Sequence, residues 1–197
     1  MVSSGNIAAL LISGIGCFII PIAAFIIVRI KSKGVTGAMI AGVVSFVVLQ
    51  LVIRVPIIQM VLPRMEWYAN LPQSNYILYA LFLGFTAGLF ETTGRYLTLK
   101  LFVRDKTSYY AGISHGIGHG GIEAILLVGV NLVVYAFYAI MINNGTFDKI
   151  IEASAVGASA DLIAEQMNAL KDTLISTNPG TTLLGLFERF LVFFIHI

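Results

Sequence analysis

The run YYAGISHGIGHGGIEAILLVGVNLVVYAFYAIMI, residues 109–142, decides the class of this chain. Its one acid is Glu123, its histidines are His115 and His119, and it carries neither lysine nor arginine. About 20 apolar residues of helix cross a hydrocarbon core, so this run spans one with residues to spare. Tilt, a break at its glycines or an interfacial first turn would take up the excess.

The rest of the chain has the same character. Of its 197 residues 58% are hydrophobic and 11% charged, with a mean hydropathy of +0.91. A soluble domain of this size could not hide so much apolar surface. The expected fold is all-α, a polytopic transmembrane helical bundle of about five helices, forming a single integral membrane domain over 1–197. The lone Cys17 excludes an intrachain disulfide framework. A net charge of +2 argues against nucleic acid as a partner and leaves the lipid bilayer.

Five apolar stretches carry that expectation: Ile7 to Val28, Val35 to Ile53 with a kinked continuation through Pro56 to Leu62, Tyr76 to Leu97 with an amphipathic tail to Val103, Tyr109 to Ile142, and Thr182 to Ile197. The first is too long for a signal-peptide core and no basic stretch precedes it, so it reads as a retained helix. The fifth is still apolar at Ile197, which reads as an incomplete last helix. Arg29, Lys31 and Lys33 follow the first stretch; Lys100, Arg104 and Lys106, against Asp105, follow the third. Positive charge favours the cytoplasmic side, which places both loops there and the amino terminus outside. By alternation the segment 143–181, with Asp148, Glu152, Asp161, Glu165 and Asp172, is extracytoplasmic. Within it Ile163, Met167, Leu170 and Leu174 fall on one helical face, opposite Asp161, Glu165, Asn168 and Lys171, as in a short amphipathic helix lying against the outer membrane surface or against the bundle. Arg54, Arg64, Glu66 and Trp67 read as interfacial anchors.

Ionisable groups inside a membrane are costly and are kept where they pair, line a cavity or hold an ion. His115, His119 and Glu123 follow at four-residue steps and so project from one stripe of one helix. At about 1.5 Å of rise per residue, Glu91 lies roughly 22 Å below the outer start of its helix, His196 roughly 21 Å below Thr182, and His119 roughly 15 Å above the inner start of its own. In a core about 30 Å thick these three meet in the cytoplasmic half. Glu91 is a candidate general base or metal ligand with Arg95 beside it, or else half of an intrahelical ion pair. The histidines are candidate ligands, or packed and hydrogen-bonded core imidazoles. Gly116, Gly118, Gly120 and Gly121 leave room for a neighbouring helix or an extended peptide. Glu188 shares a broad face with His196, or is simply a first-turn acid favoured by the helix dipole.

At these residues the chain resembles the YhfC family of intramembrane metalloproteases, a branch of the CAAX-protease and bacteriocin-processing superfamily. Glu91 and Arg95 match its first motif, although Phe90 stands where a second glutamate is frequent. His119 matches the second motif, with His115 at a place often held by an aromatic residue, and His196 matches the third. The polar partner four residues after that histidine would fall beyond Ile197, so the chain looks like a shortened member. The resemblance implies an intramembrane peptidase in a bacterial plasma membrane, cutting a membrane peptide or protein substrate near the cytoplasmic half of the bilayer. Glu91 would activate a water, with Arg95 and His119 as its catalytic partners. His119 and His196, with Glu91, would bind a metal such as zinc, or the histidines an oxyanion. His115, Glu123 and Glu188 would support that set, with Glu123 orienting His119. Two other functions fit the same residues: a transporter or channel for a metal ion or proton, and a membrane scaffold without catalysis.

Overall fold

The computed structural model describes residues 1–103 and 108–197, apart from the side chain of Ala158. Arg104, Asp105 and Lys106 of the second basic loop lie outside them. The described residues form helices and no strand. In order these are α1 (Ser4–Lys31), α2 (Thr36–Ser45), α3 (Glu66–Ser74), α4 (Tyr76–Phe102), α5 (Tyr109–Glu123), α6 (Val130–Asn143), α7 (Phe147–Ser154), α8 (Ala160–Ser176) and α9 (Pro179–His196). π-helical turns extend α2 over Phe46–Arg54 and Ile57–Val61, before a 3-10 turn at Leu62–Arg64. A third π segment, Ala124–Gly129, joins α5 to α6.

Among the described residues, four helices are long and apolar enough to cross a membrane: Ser4–Lys31, Thr36–Arg64, Tyr76–Phe102 and Tyr109–Asn143. The fifth expected stretch is helical too, but Glu188 and Arg189 in its middle leave α9 less apolar than these four. The second span does not end at Pro56. A proline withdraws one donor and crowds the carbonyl four residues back, and the wide π turns on either side accommodate both effects. Asn75 starts α4, its Oδ1 accepting from the Leu78 amide at 3.0 Å. Gly145, at φ +76, lets the chain leave α6 in a left-handed turn that a side chain would strain.

Packing divides the chain into two compact units. The first comprises Met1–Ile20 and Ala124–Val192. Its core gathers Val2, Leu10, Ala136, Ala139 and Leu174, with Leu170 packed against them. Thus α8 turns its apolar stripe inward, while Asp161, Glu165 and Asn168 are exposed. Polar ties reinforce the packing: the Val2 amide donates to Asn143 Oδ1 at 2.7 Å and Asn6 Nδ2 to the Leu174 carbonyl at 3.0 Å.

The second unit comprises Pro21–Glu123 and Phe193–Ile197. Its central pair is α2 and α5, which approach almost backbone to backbone. A Cβ on Gly42 would collide with the His115 carbonyl, and one on Gly118 with the Met39 carbonyl. Glycine costs helix propensity but permits such an approach. Ser114 Oγ donates to the Val35 carbonyl at 3.0 Å and fixes the register of the pair. One face of α4, bearing Ile77, Leu81, Phe85 and Leu89, is exposed, as lipid-facing side chains are.

Candidate metal centre

The second unit builds its polar interior from three helices. α4 supplies Glu91, Arg95 and Thr98; α5 supplies His115, His119 and Glu123; the last turn of α9 supplies His196. Two more glycines of α5 set the approach of α9. A Cβ on Gly116 would collide with the His196 carbonyl, and one on Gly120 would stand 3.0 Å from His196 Cβ. The glycine-rich run therefore seats the backbone that carries His196.

Glu91, His119 and His196 each offer a donor atom, and these atoms lie within 4.8 Å of one another. The rings of His119 and His196 are 5.0 Å apart between centroids and tilted by 34°. Phe46 closes the far side of His119 edge-on at 5.4 Å. His119 is wholly buried, and among the described residues neither of its ring nitrogens has a hydrogen-bond partner. Buried polar atoms are nearly always paired, and leaving one unpaired costs about 1–3 kcal/mol. Arg95 Nε is buried and unpartnered in the same way.

His196 is engaged at both nitrogens. Its Nδ1 meets the Arg95 guanidinium, and its Nε2 lies 3.1 Å from Glu123 Oε2. Arginine can only donate, so Nδ1 carries the lone pair and, in the neutral ring, the proton sits on Nε2, facing Glu123. His115 is committed elsewhere. Thr98 Oγ1 donates its one proton to the Gly94 carbonyl at 2.7 Å, so at 2.9 Å it accepts from His115 Nε2. That bond ties α5 to α4.

A catalytic zinc takes three protein ligands from histidine and carboxylate and keeps one position open. Two imidazoles and one carboxylate are such a set, and the unpartnered nitrogens of His119 are what a ligand needs. The residues fit a metal. Bonds of about 2 Å confine ligand atoms to within about 4 Å of each other, so the 4.8 Å group must close slightly. His196 must also release either Arg95 or Glu123 to ligate.

The structure gathers most of the residues singled out from sequence, in arrangements that spacing alone does not give. Arg95 turns to His196, and no salt bridge joins it to Glu91 among the described residues. Glu123 stands against His196 instead of orienting His119. Glu188 belongs to the first unit, where it pairs with Arg189 and is largely exposed. Arg54, read as an interfacial anchor, is hydrogen-bonded within the second unit: its Nη2 donates to the Leu83 carbonyl at 2.8 Å and its Nη1 to Gln50 Oε1 at 3.2 Å. Gln50 and Thr98 were missed. Gln50 carried a signal, an amide alone in an apolar run, where a polar side chain needs a partner.

The family model for the YhfC intramembrane metalloprotease matches residues 16–197. The "Uncharacterized membrane protein YhfC" of Bacillus subtilis (strain 168) is 29% identical over 167 residues, which cover 85% of this chain and 64% of that relative. No solved structure matches. The family name implies a metal ion, and the helices an integral membrane protein in a lipid environment. With the match running over nearly the whole sequence, the chain belongs to the YhfC intramembrane metalloprotease family.

Proposed function

We propose that this protein is an intramembrane peptidase that hydrolyses a peptide bond of a membrane peptide or protein, near the cytoplasmic half of the bilayer. The observation that carries the proposal is the wholly buried His119, with both ring nitrogens unpartnered, inside a group of Glu91, His119 and His196 donor atoms no more than 4.8 Å apart. Purely structural histidines are hydrogen-bonded, as His115 is.

His119 and His196 would hold the metal, with an oxygen of Glu91 in the same group; zinc suits these donors. When bound, zinc polarises the scissile carbonyl and makes a nearby water more acidic. Glu91 takes the proton of the attacking water, the task of a carboxylate within hydrogen-bond reach. Arg95, a fixed cation with an unpartnered Nε, stabilises negative charge on the carbonyl oxygen during attack. Glu123 holds His196 through Nε2 and keeps its ring oriented.

The same reading places both basic loops in the cytoplasm of a bacterial plasma membrane, with the amino terminus and residues 143–181 outside. The test is cleavage of quenched transmembrane peptides by the purified chain in proteoliposomes, with zinc counted in the same samples. Zinc-dependent cleavage supports the proposal. Zinc transport without cleavage would replace it with the transporter reading.

A further inference from the structure

Glu91 Oε1 is held by a residue outside the metal-binding group. Gln50, in the π-helical extension of α2 and 4% exposed, donates from Nε2 to Glu91 Oε1 at 3.0 Å and to the Ala87 carbonyl at 3.4 Å. Its Oε1 accepts from Arg54 Nη1 at 3.2 Å. Arg54 is fixed in turn: Nε donates to Thr86 Oγ1 at 3.3 Å and Nη2 to the Leu83 carbonyl at 2.8 Å.

Only one orientation of the Gln50 amide satisfies these partners. A guanidinium has no acceptor, and the two groups on the other side are both oxygens. Flipping the amide would set NH2 against the guanidinium and an oxygen against two oxygens. Arg54 therefore decides that Glu91 faces a donor. A carboxylate oxygen that already accepts an N–H bond is the poorer place for a new proton, so the proton taken from water goes to Oε2.

We infer that Gln50 is a positioning residue for Glu91, locked in its working orientation by Arg54, and that the pair selects which carboxylate oxygen acts as the base. This rests on Glu91 being the general base. Arg54 and Gln50 reach the reaction through Glu91 and need no contact with substrate.

Three variants separate this from simple packing. Gln50→Met keeps the volume and removes the donor; Arg54→Met frees the amide to flip; Arg54→Lys keeps a donor on Gln50 Oε1. With quenched transmembrane peptides in proteoliposomes, Gln50→Met should lower kcat about 10- to 100-fold, the usual cost of losing a supporting hydrogen bond at a metal site. KM should stay within about twofold, since ground-state binding is untouched. Arg54→Met should lower kcat similarly and add little in the Gln50→Met background, because both act through one bond. Arg54→Lys should retain most activity. The carboxylate stretching band of Glu91, isolated as the infrared difference between wild type and Glu91→Gln at one pH, should shift in Gln50→Met and Arg54→Met but not in Arg54→Lys. This readout needs no turnover. An unmoved band with unchanged kcat in Gln50→Met overturns the inference and leaves the peptidase reading intact. Full cleavage by Glu91→Gln overturns the general-base reading, and the inference with it.

Discussion

His196 Nε2 stands 3.1 Å from Glu123 Oε2, so the carboxylate one turn beyond His119 on α5 serves the histidine of α9. A ligating histidine commonly gives its other N–H to a carboxylate, which fixes tautomer and ring orientation. With Nε2 facing Glu123, Nδ1 is left as the ligand, in exchange for Arg95. Glu123→Gln, which weakens the acceptor and keeps its shape, should lower zinc affinity about 10- to 100-fold. Chelator competition on the purified protein measures this. Unchanged affinity would mean that His196 does not ligate through the ring that Glu123 holds.

His119 is the residue with nothing else to do. Removing one of three protein ligands opens a zinc site, so His119→Ala should lose zinc while His115→Ala keeps it and instead loosens the tie from α5 to α4 through Thr98. Zinc per protein, measured by mass spectrometry after gel filtration, distinguishes them. Equal zinc in both variants would remove His119 from the metal site.

Gly116 and Gly112 are one turn apart on α5 and face different surroundings. A Cβ on Gly116 meets the His196 backbone, while one on Gly112 has nothing within 4 Å. Gly116→Ala should therefore displace the end of α9, cost about 1–3 kcal/mol as overpacking does, and lose zinc with His196. Gly112→Ala should be neutral or slightly stabilising, as alanine improves on glycine in a helix. Thermal unfolding in detergent, with zinc counted alongside, compares the two.

Orientation is checked by labelling. Cys17 is the lone cysteine and is buried in α1, so replacing it and introducing Asp161→Cys gives one reporter on α8. Labelling by an impermeant maleimide from outside intact cells is the expected outcome. Labelling from the cytoplasmic side alone would reverse the topology.

Hydropathy and charge made the long helices legible, because membrane crossing demands length and apolarity that little else demands. The fifth stretch is helical as well, with Glu188 and Arg189 inside it. Depth counting from helix ends brought Glu91, His119 and His196 to one level, since the rise per residue is nearly constant. It says nothing of azimuth. Four-residue steps align Glu123 with His119 and Arg95 with Glu91 on their own helices, yet both Glu123 and Arg95 turn to His196. The π-helical turns were not visible either. They leave no composition signature, yet one carries Gln50 to Glu91. Arg54 looked like an anchor because a charge near a helix end usually snorkels; acceptors on α4 hold it inward instead.

The most direct test of the account is Glu91→Gln, assayed for zinc and for cleavage on the same preparation. An amide cannot take the proton of the attacking water. The glutamine amide still offers a carbonyl oxygen to the group that Glu91 shares with the two histidines, so the substitution should keep the fold and most of the bound zinc while cleavage of quenched transmembrane peptides falls about 10²- to 10⁴-fold, the usual worth of a general base. Full proteolysis by the Glu91→Gln protein would contradict the account.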